Sequence, residues 1–247
     1  MDLLWKLVNF SFIPAVIMLL AGGAATVRIP GQNLRSAVLH FAAGVVFAVV
    51  SAEFIPDLVH EHKIATTAIG FTIGTALMLA IRSWTSRAES AEKEQSGRLP
   101  SGFLMATGID LAIDGLMLGI GFAAGAKEGI LFTVALTIEL LSLGIATTAN
   151  LTGKRIPQRK TLIVLAGLSL LFVLSAVTGG LLSQAFTGVA LAGLIAFGTA
   201  ALLFLVTEEL LTEAHEIEES PLLTATFFAG FLMIFLLESQ QSNSFDH

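Results

Sequence analysis

The sequence predicts an all-α polytopic membrane protein with eight transmembrane helices, and three observations carry that prediction. Hydrophobic residues make up 55% of the chain and charged residues 13%, with a mean hydropathy of +0.84, so a water-facing surface cannot be assembled from this composition. Apolar runs of roughly 20 residues recur along the chain, the length that a rise of about 1.5 Å per residue needs to cross hydrocarbon. The basic residues, finally, collect in alternate connections between those runs. The runs place spans at residues 7–27, 36–56, 64–82, 102–124, 129–151, 161–183, 187–207 and 221–238, all within a single transmembrane domain, 1–247.

The first span opens after Lys6 and ends near "AGGAA", which superficially resembles a cleaved leader. Removing it would leave seven spans and a new N-terminus on the wrong side, so a retained helix is expected. Arg28 and Arg35 follow this span, Arg82, Arg87, Lys93 and Arg98 follow the third, and Lys154, Arg155, Arg159 and Lys160 follow the fifth. Only Lys6, Lys63 and Lys127 remain for the opposite side. Positively charged loops stay in the cytoplasm, which places both termini outside. The expected location is the bacterial inner (plasma) membrane. Trp5 and Trp84 stand at span ends as interfacial anchors.

Between the third and fourth spans, "TSRAESAEKEQSGRLP" (85–100) reads as a mobile cytoplasmic loop. A shift of 156 residues lays Glu53 on Glu209, Asp57 on Glu213 and Gly74 on Gly230. That echo organises the chain as 3+2+3. A first repeat covers 7–84, a central helix pair carrying the site covers 101–152, and a second repeat covers 161–238. Because two spans intervene, spans 1–3 and 6–8 would form an inverted repeat, a transporter design with its site near the midplane.

Acidic side chains inside these spans are the main chemical signal. Asp110 and Asp114 lie mid-span in "GIDLAIDGLMLG", and Glu139 mid-span in the fifth helix with Ser142 on nearly the same face. A charge at the bilayer centre costs on the order of 3 kcal/mol or more, and no span interior contains Lys or Arg to offset it. Two carboxylates at i and i+4 share a helix face and repel unless a cation or protons intervene. A divalent metal relieves this repulsion; a protonated, hydrogen-bonded polar seam is the plainer alternative. Gly115, Gly119 and Gly121 let neighbouring helices approach under either reading.

Pro56 lacks an N–H and frees the Ala52 carbonyl beside Glu53, or else simply kinks the helix at its outer end. Glu53, Asp57, His60, Glu61 and His62 form a candidate entrance for metal. At the opposite face Glu208, Glu209, Glu213, His215 and Glu216 form a candidate exit, against the positive-inside habit. Either cluster also reads as a solvated helix end. His40 is a lone histidine, read as structural, and Thr147 and Thr148 as polar fillers within their helix.

With these residues in place, the chain resembles the ZIP (Zrt- and Irt-like) family of divalent metal transporters. The resemblance covers nearly the whole length in topology. It implies eight spans, external termini, a cytoplasmic loop after the third span, and metal ligands on the fourth and fifth. The family's fourth-span motif reads His-Asn-x-x-Asp-Gly, and "DLAIDG" occupies its place: Asp114 and Gly115 match, with Asp110 at the histidine position and Leu111 at the asparagine. In the fifth span "TIELLSLG" keeps Glu139, with Ile138 replacing a histidine, Leu141 a proline and Ser142 an acid. The expected metal ligands are therefore Asp110, Asp114, Glu139 and Ser142, all oxygen donors. Manganese, magnesium and calcium prefer oxygen and zinc prefers nitrogen or sulfur, so the set points toward ions harder than zinc. The histidine-rich loop usual in the family is missing, since 85–100 contains no histidine.

The expected function is transport of divalent cations (zinc, manganese, iron or cadmium) by alternating access, with the metal as cargo and no prosthetic group. A proton-coupled carrier of another cation is the first alternative. An intramembrane enzyme is less well served, because an aspartyl pair needs its two acids on different helices. The net charge of −6 and the absence of a basic run exclude a nucleic-acid partner. The lipid bilayer is the expected surrounding, and small-residue faces could support a homodimer. Without cysteine, thiolate sites and disulfides are excluded.

Overall fold

The structure is a computed structural model that describes residues 2–60, 63–91, 99–186, 188–215 and 220–245, and among these no strand occurs. Ten α-helical segments follow in order: α1 Asp2–Val27, α2 Gln32–Val49, α3 Ile55–His60, α4 Ile64–Ala91, α5 Ser101–Ala124, α6 Ala126–Gly153, α7 Gln158–Ala185, α8 Val189–Phe204, α9 Leu211–Ala214 and α10 Pro221–Phe245. Two π-helical turns, Val50–Phe54 and Leu205–Leu210, join α2 to α3 and α8 to α9, so each pair is one long interrupted helix. Seven of the expected spans are long and apolar enough to cross a membrane. The eighth falls short, because its apolar stretch Pro221–Leu237 gives way to the polar run that starts at Glu238. Helix α4 also continues to Ala91, through residues read from the sequence as the start of the 85–100 loop; residues 92–98 lie outside the described residues.

Local sequence sets the helix ends. Pro100 and Pro157 precede α5 and α7, and Pro221 opens α10, positions where a missing N–H costs no helical bond. Helix α6 ends in a Schellman turn, with Arg155 at φ 60 and Ile156 N–H donating to Leu151 O at 3.0 Å. Only Gly125, in extended conformation, separates α5 from α6. At the first π turn the Ile55 N–H donates to Val50 O, five residues back. Widening the turn accommodates the ring of Pro56, which would otherwise press on the carbonyl of Ala52.

The helices divide into two compact units. One comprises residues 1–30 and 75–188, hence α1, α5, α6, α7 and the end of α4; the other comprises 31–74 and 189–247. In the first unit, glycines bring backbones together. A Cβ at Gly119 of α5 would collide with Ala176 O of α7, one at Gly115 with Phe172 O at 2.5 Å, and one at Gly144 of α6 with Met18 O of α1 at 2.5 Å. Hydroxyls add hydrogen bonds between helices: Thr148 Oγ1 donates to Gly22 O at 3.0 Å, and Ser169 Oγ to Ala15 O at 3.2 Å. Leucines and isoleucines such as Leu20, Ile163 and Leu174 stay exposed on the outer faces, as lipid-facing residues do.

In the second unit α2 meets α10 and the start of α4 meets α8. A Cβ at Gly230 would strike Phe41 O, and one at Gly74 would lie 2.7 Å from Phe197 O. Thr226 Oγ1 donates to Ala37 O at 3.1 Å, while a Cβ at Gly70 would strike Gly193 O. Each contact maps onto the other of its pair by the same 156-residue offset: Phe41 to Phe197, Gly74 to Gly230, Ala37 to Gly193 and Gly70 to Thr226. The two π turns fall at corresponding places as well, around Glu53 and Glu209.

Candidate metal centre

Successive residues on an α-helix turn by about 100°, which fixes what α5 offers to each neighbour. Asp110 and Asp114 lie within about 40° of each other, and Gly119, which meets α7, is turned about 140° from Asp114. In α6 Glu139 bears the same relation to Gly144, which meets α1. The hexads "DGLMLG" (114–119) and "ELLSLG" (139–144) thus use one register twice: an acid, then five residues on a glycine contact that holds the helix with the acid turned away.

The consequence is a cluster. Asp110, Asp114 and Glu139 each offer a carboxylate oxygen, and these oxygens lie within 4.8 Å of one another. Asp114 and Glu139 are 1% and 2% exposed, and Asp110 is half-buried. Neither 101–126 nor 128–153 contains a Lys or Arg. Oxygen ligands at about 2.0 to 2.6 Å from one ion stand no more than about 5 Å apart, so a single divalent ion fits this separation. Ser142, one turn beyond Glu139, is buried, and its hydroxyl has no hydrogen-bond partner among the described residues. A donor of that kind can complete an oxygen set. Thr147 Oγ1 is likewise buried without a partner among these residues, whereas Thr148 is the interhelical donor described above.

The other expected site residues divide by position. Glu53 lies in the first π turn and Asp57 and His60 in α3, with side chains outside the described residues; Glu61 and His62 are wholly outside them. Glu208 is exposed and Glu209 half-buried on the second π turn. Glu213 is on α9 with its side chain outside the described residues, His215 is exposed just after α9, and Glu216 lies outside them.

His40 corrects the sequence reading, because it is not a lone histidine. Its ring stands edge-on to that of His215, with centroids 5.0 Å apart and planes at 79°. Nothing local in the sequence signals this pair, since it depends on α2 meeting α9.

Fold and composition together define the class: an integral membrane protein, all-helical among the described residues, with a buried carboxylate cluster able to hold a metal ion. No family model and no curated protein matches the chain.

Proposed function

We propose that the protein moves divalent metal cations across the membrane by alternating access, binding them at Asp110, Asp114 and Glu139 with Ser142 as a fourth oxygen donor. The observation that carries this reading is the convergence of three carboxylates, two of them buried, on helices without a basic residue between Ser101 and Ala126 or between Glu128 and Gly153. Three anions in so small a volume require positive charge from elsewhere. A divalent ion supplies it in one step, and two glycine-locked helices hold the ligands in place to receive it. On this reading the protein is a divergent relative of the ZIP transporters, in which Asp110 stands in place of an imidazole and the Ser142 hydroxyl in place of an acid. It is, on the same reading, a carrier rather than an enzyme: all three acids serve as ligands to the cargo ion, and Asp110 and Asp114, on one turn of one helix, are not arranged as an aspartyl-protease pair. The 156-residue correspondence of helix contacts supports an inverted pair of three-helix repeats, with external termini following from the basic loops. The all-oxygen donor set favours manganese or ferrous iron over zinc.

The test is cation-dependent thermal stabilisation and metal content of the detergent-purified protein, wild type against Asp110→Ala with Asp114→Ala, across zinc, manganese, iron, cadmium, calcium and magnesium. Stabilisation by one ion that the double variant loses supports the reading and ranks the cargo. Stability that follows pH alone, with no metal response in either protein, would replace it with a proton-linked carrier.

A further inference from the structure

The second unit contains a pair of imidazoles that the carboxylate site does not use. We propose that His40 and His215 form a separate cation site that takes a borderline divalent ion, such as zinc, nickel or cobalt(II), through nitrogen.

Hydrogen bonds fix which nitrogen each ring presents. His40 Nδ1 lies 2.9 Å from the carbonyl of Ser36. A carbonyl only accepts, so Nδ1 carries a proton, and in the neutral ring the lone pair is then on Nε2. His215 Nδ1 meets the carbonyl of Leu211, at the start of α9 four residues back, in the same way. Both rings are thus held as the tautomer whose Nε2 is the ligand atom, and a backbone carbonyl behind each is the support that metal-binding histidines commonly have. Ser36 joins the two: its Oγ lies 3.3 Å from His40 Nδ1 and donates to Ala214 O at 2.8 Å, next to His215.

Distance and burial point the same way. Two imidazoles bound about 2.1 Å from one tetrahedral ion hold their ring centres about 5 Å apart, and the centroids here are 5.0 Å apart. His40 is 2% exposed, and its Nε2 is buried with no hydrogen-bond partner among the described residues. A buried acceptor left in that state is unfavourable unless something binds it. His215 is exposed, so an ion can arrive from solvent and be held against the buried ring, with water completing its coordination. Imidazole selects zinc, nickel and cobalt over manganese and magnesium, opposite to the preference of the carboxylate cluster.

The experiment uses the full chain, purified through a tag without histidine. Asp114→Asn and Glu139→Gln remove the carboxylate site, and His60→Gln, His62→Gln and His247→Gln remove the remaining histidines. Cobalt(II) is titrated by its visible absorption, then displaced with zinc. The expected result is one equivalent of cobalt bound with nitrogen-ligand bands, weakened at least tenfold by His215→Gln and unaffected by excess magnesium. Replacing buried His40 can unfold the bundle, so the exposed His215→Gln variant carries the test. Absence of cobalt binding in the starting protein, or equal affinity after His215→Gln, overturns the proposal and leaves the pair as an edge-to-face ring contact.

Discussion

The two units differ in how their helices treat irregularity. In the unit of α1, α5, α6 and α7 every helix runs unbroken, even α1 with Pro14 inside it. In the other unit both interrupted helices widen into a π turn, one just before Pro56 and one with no proline in the turn or in α9. Proline is therefore neither sufficient nor necessary for the interruption. What the two π turns share is acid: Glu53 in the first, Glu208 and Glu209 in the second. π turns recur where function places a side chain against the regular register, and these lie in the unit that carries the proposed entrance, exit and histidine pair. The unbroken unit holds the carboxylates.

The comparison is broken most severely by Gly119→Val. The added side chain meets α7 backbone rather than a movable side chain, so about 3 kcal/mol or more of destabilisation is expected, seen as loss of monodisperse protein on gel filtration. Gly230→Val should do the same through Phe41 in the other unit. Gly23→Ala, whose nearest neighbour is Leu162 Cδ2 at 3.8 Å, should fold normally. If Gly119→Val folds with an unchanged melting midpoint, close backbone approach is not what holds α5.

A second effect separates the units by chemistry. Asp114→Asn with Glu139→Gln should weaken manganese binding on the order of a hundredfold by calorimetry, because ligand charge sets affinity for hard ions. His215→Gln should leave manganese binding as it was. Equal losses in both variants would merge the two sites into one.

Pro56→Ala comes next in size. Restoring an N–H should stabilise this helix by about 1 kcal/mol and slow hydrogen exchange around Ala52–Phe54. Unchanged exchange would mean that the first π turn, like the second, does not depend on proline. The smallest effect is expected for Thr148→Val, which removes the bond to Gly22 O: about 0.6 kcal/mol, read as a shift of a degree or two in the melting midpoint.

Much of this architecture was legible in hydropathy alone, because lipid imposes a length on each helix that any observer can count. The last span is the exception, since its apolar stretch stops at Leu237 while α10 continues through polar residues. Asp110 and Asp114 were legible as a pair because helical spacing puts them on one face. Glu139 joins them as an expected ligand through its mid-span position and the ZIP resemblance; its approach to the pair depends on how α5 and α6 pack, with Gly119 and Gly144 turning the acids away from α7 and α1. The π turn at Leu205–Leu210 left no local signal. The partner of His40 is set by which helices meet, information spread across the whole chain.

The glycine contacts have a further consequence for how the sequence can change. Exposed leucines and isoleucines are interchangeable, since lipid is indifferent to their shape. A glycine whose missing Cβ is filled by another helix's carbonyl has no such freedom, because the obstacle is backbone and no substitution opposite can remove it. Gly74, Gly119, Gly144 and Gly230 are therefore expected to stand fixed in any set of descendants that keeps this fold, while the apolar faces around them drift toward unrecognisability.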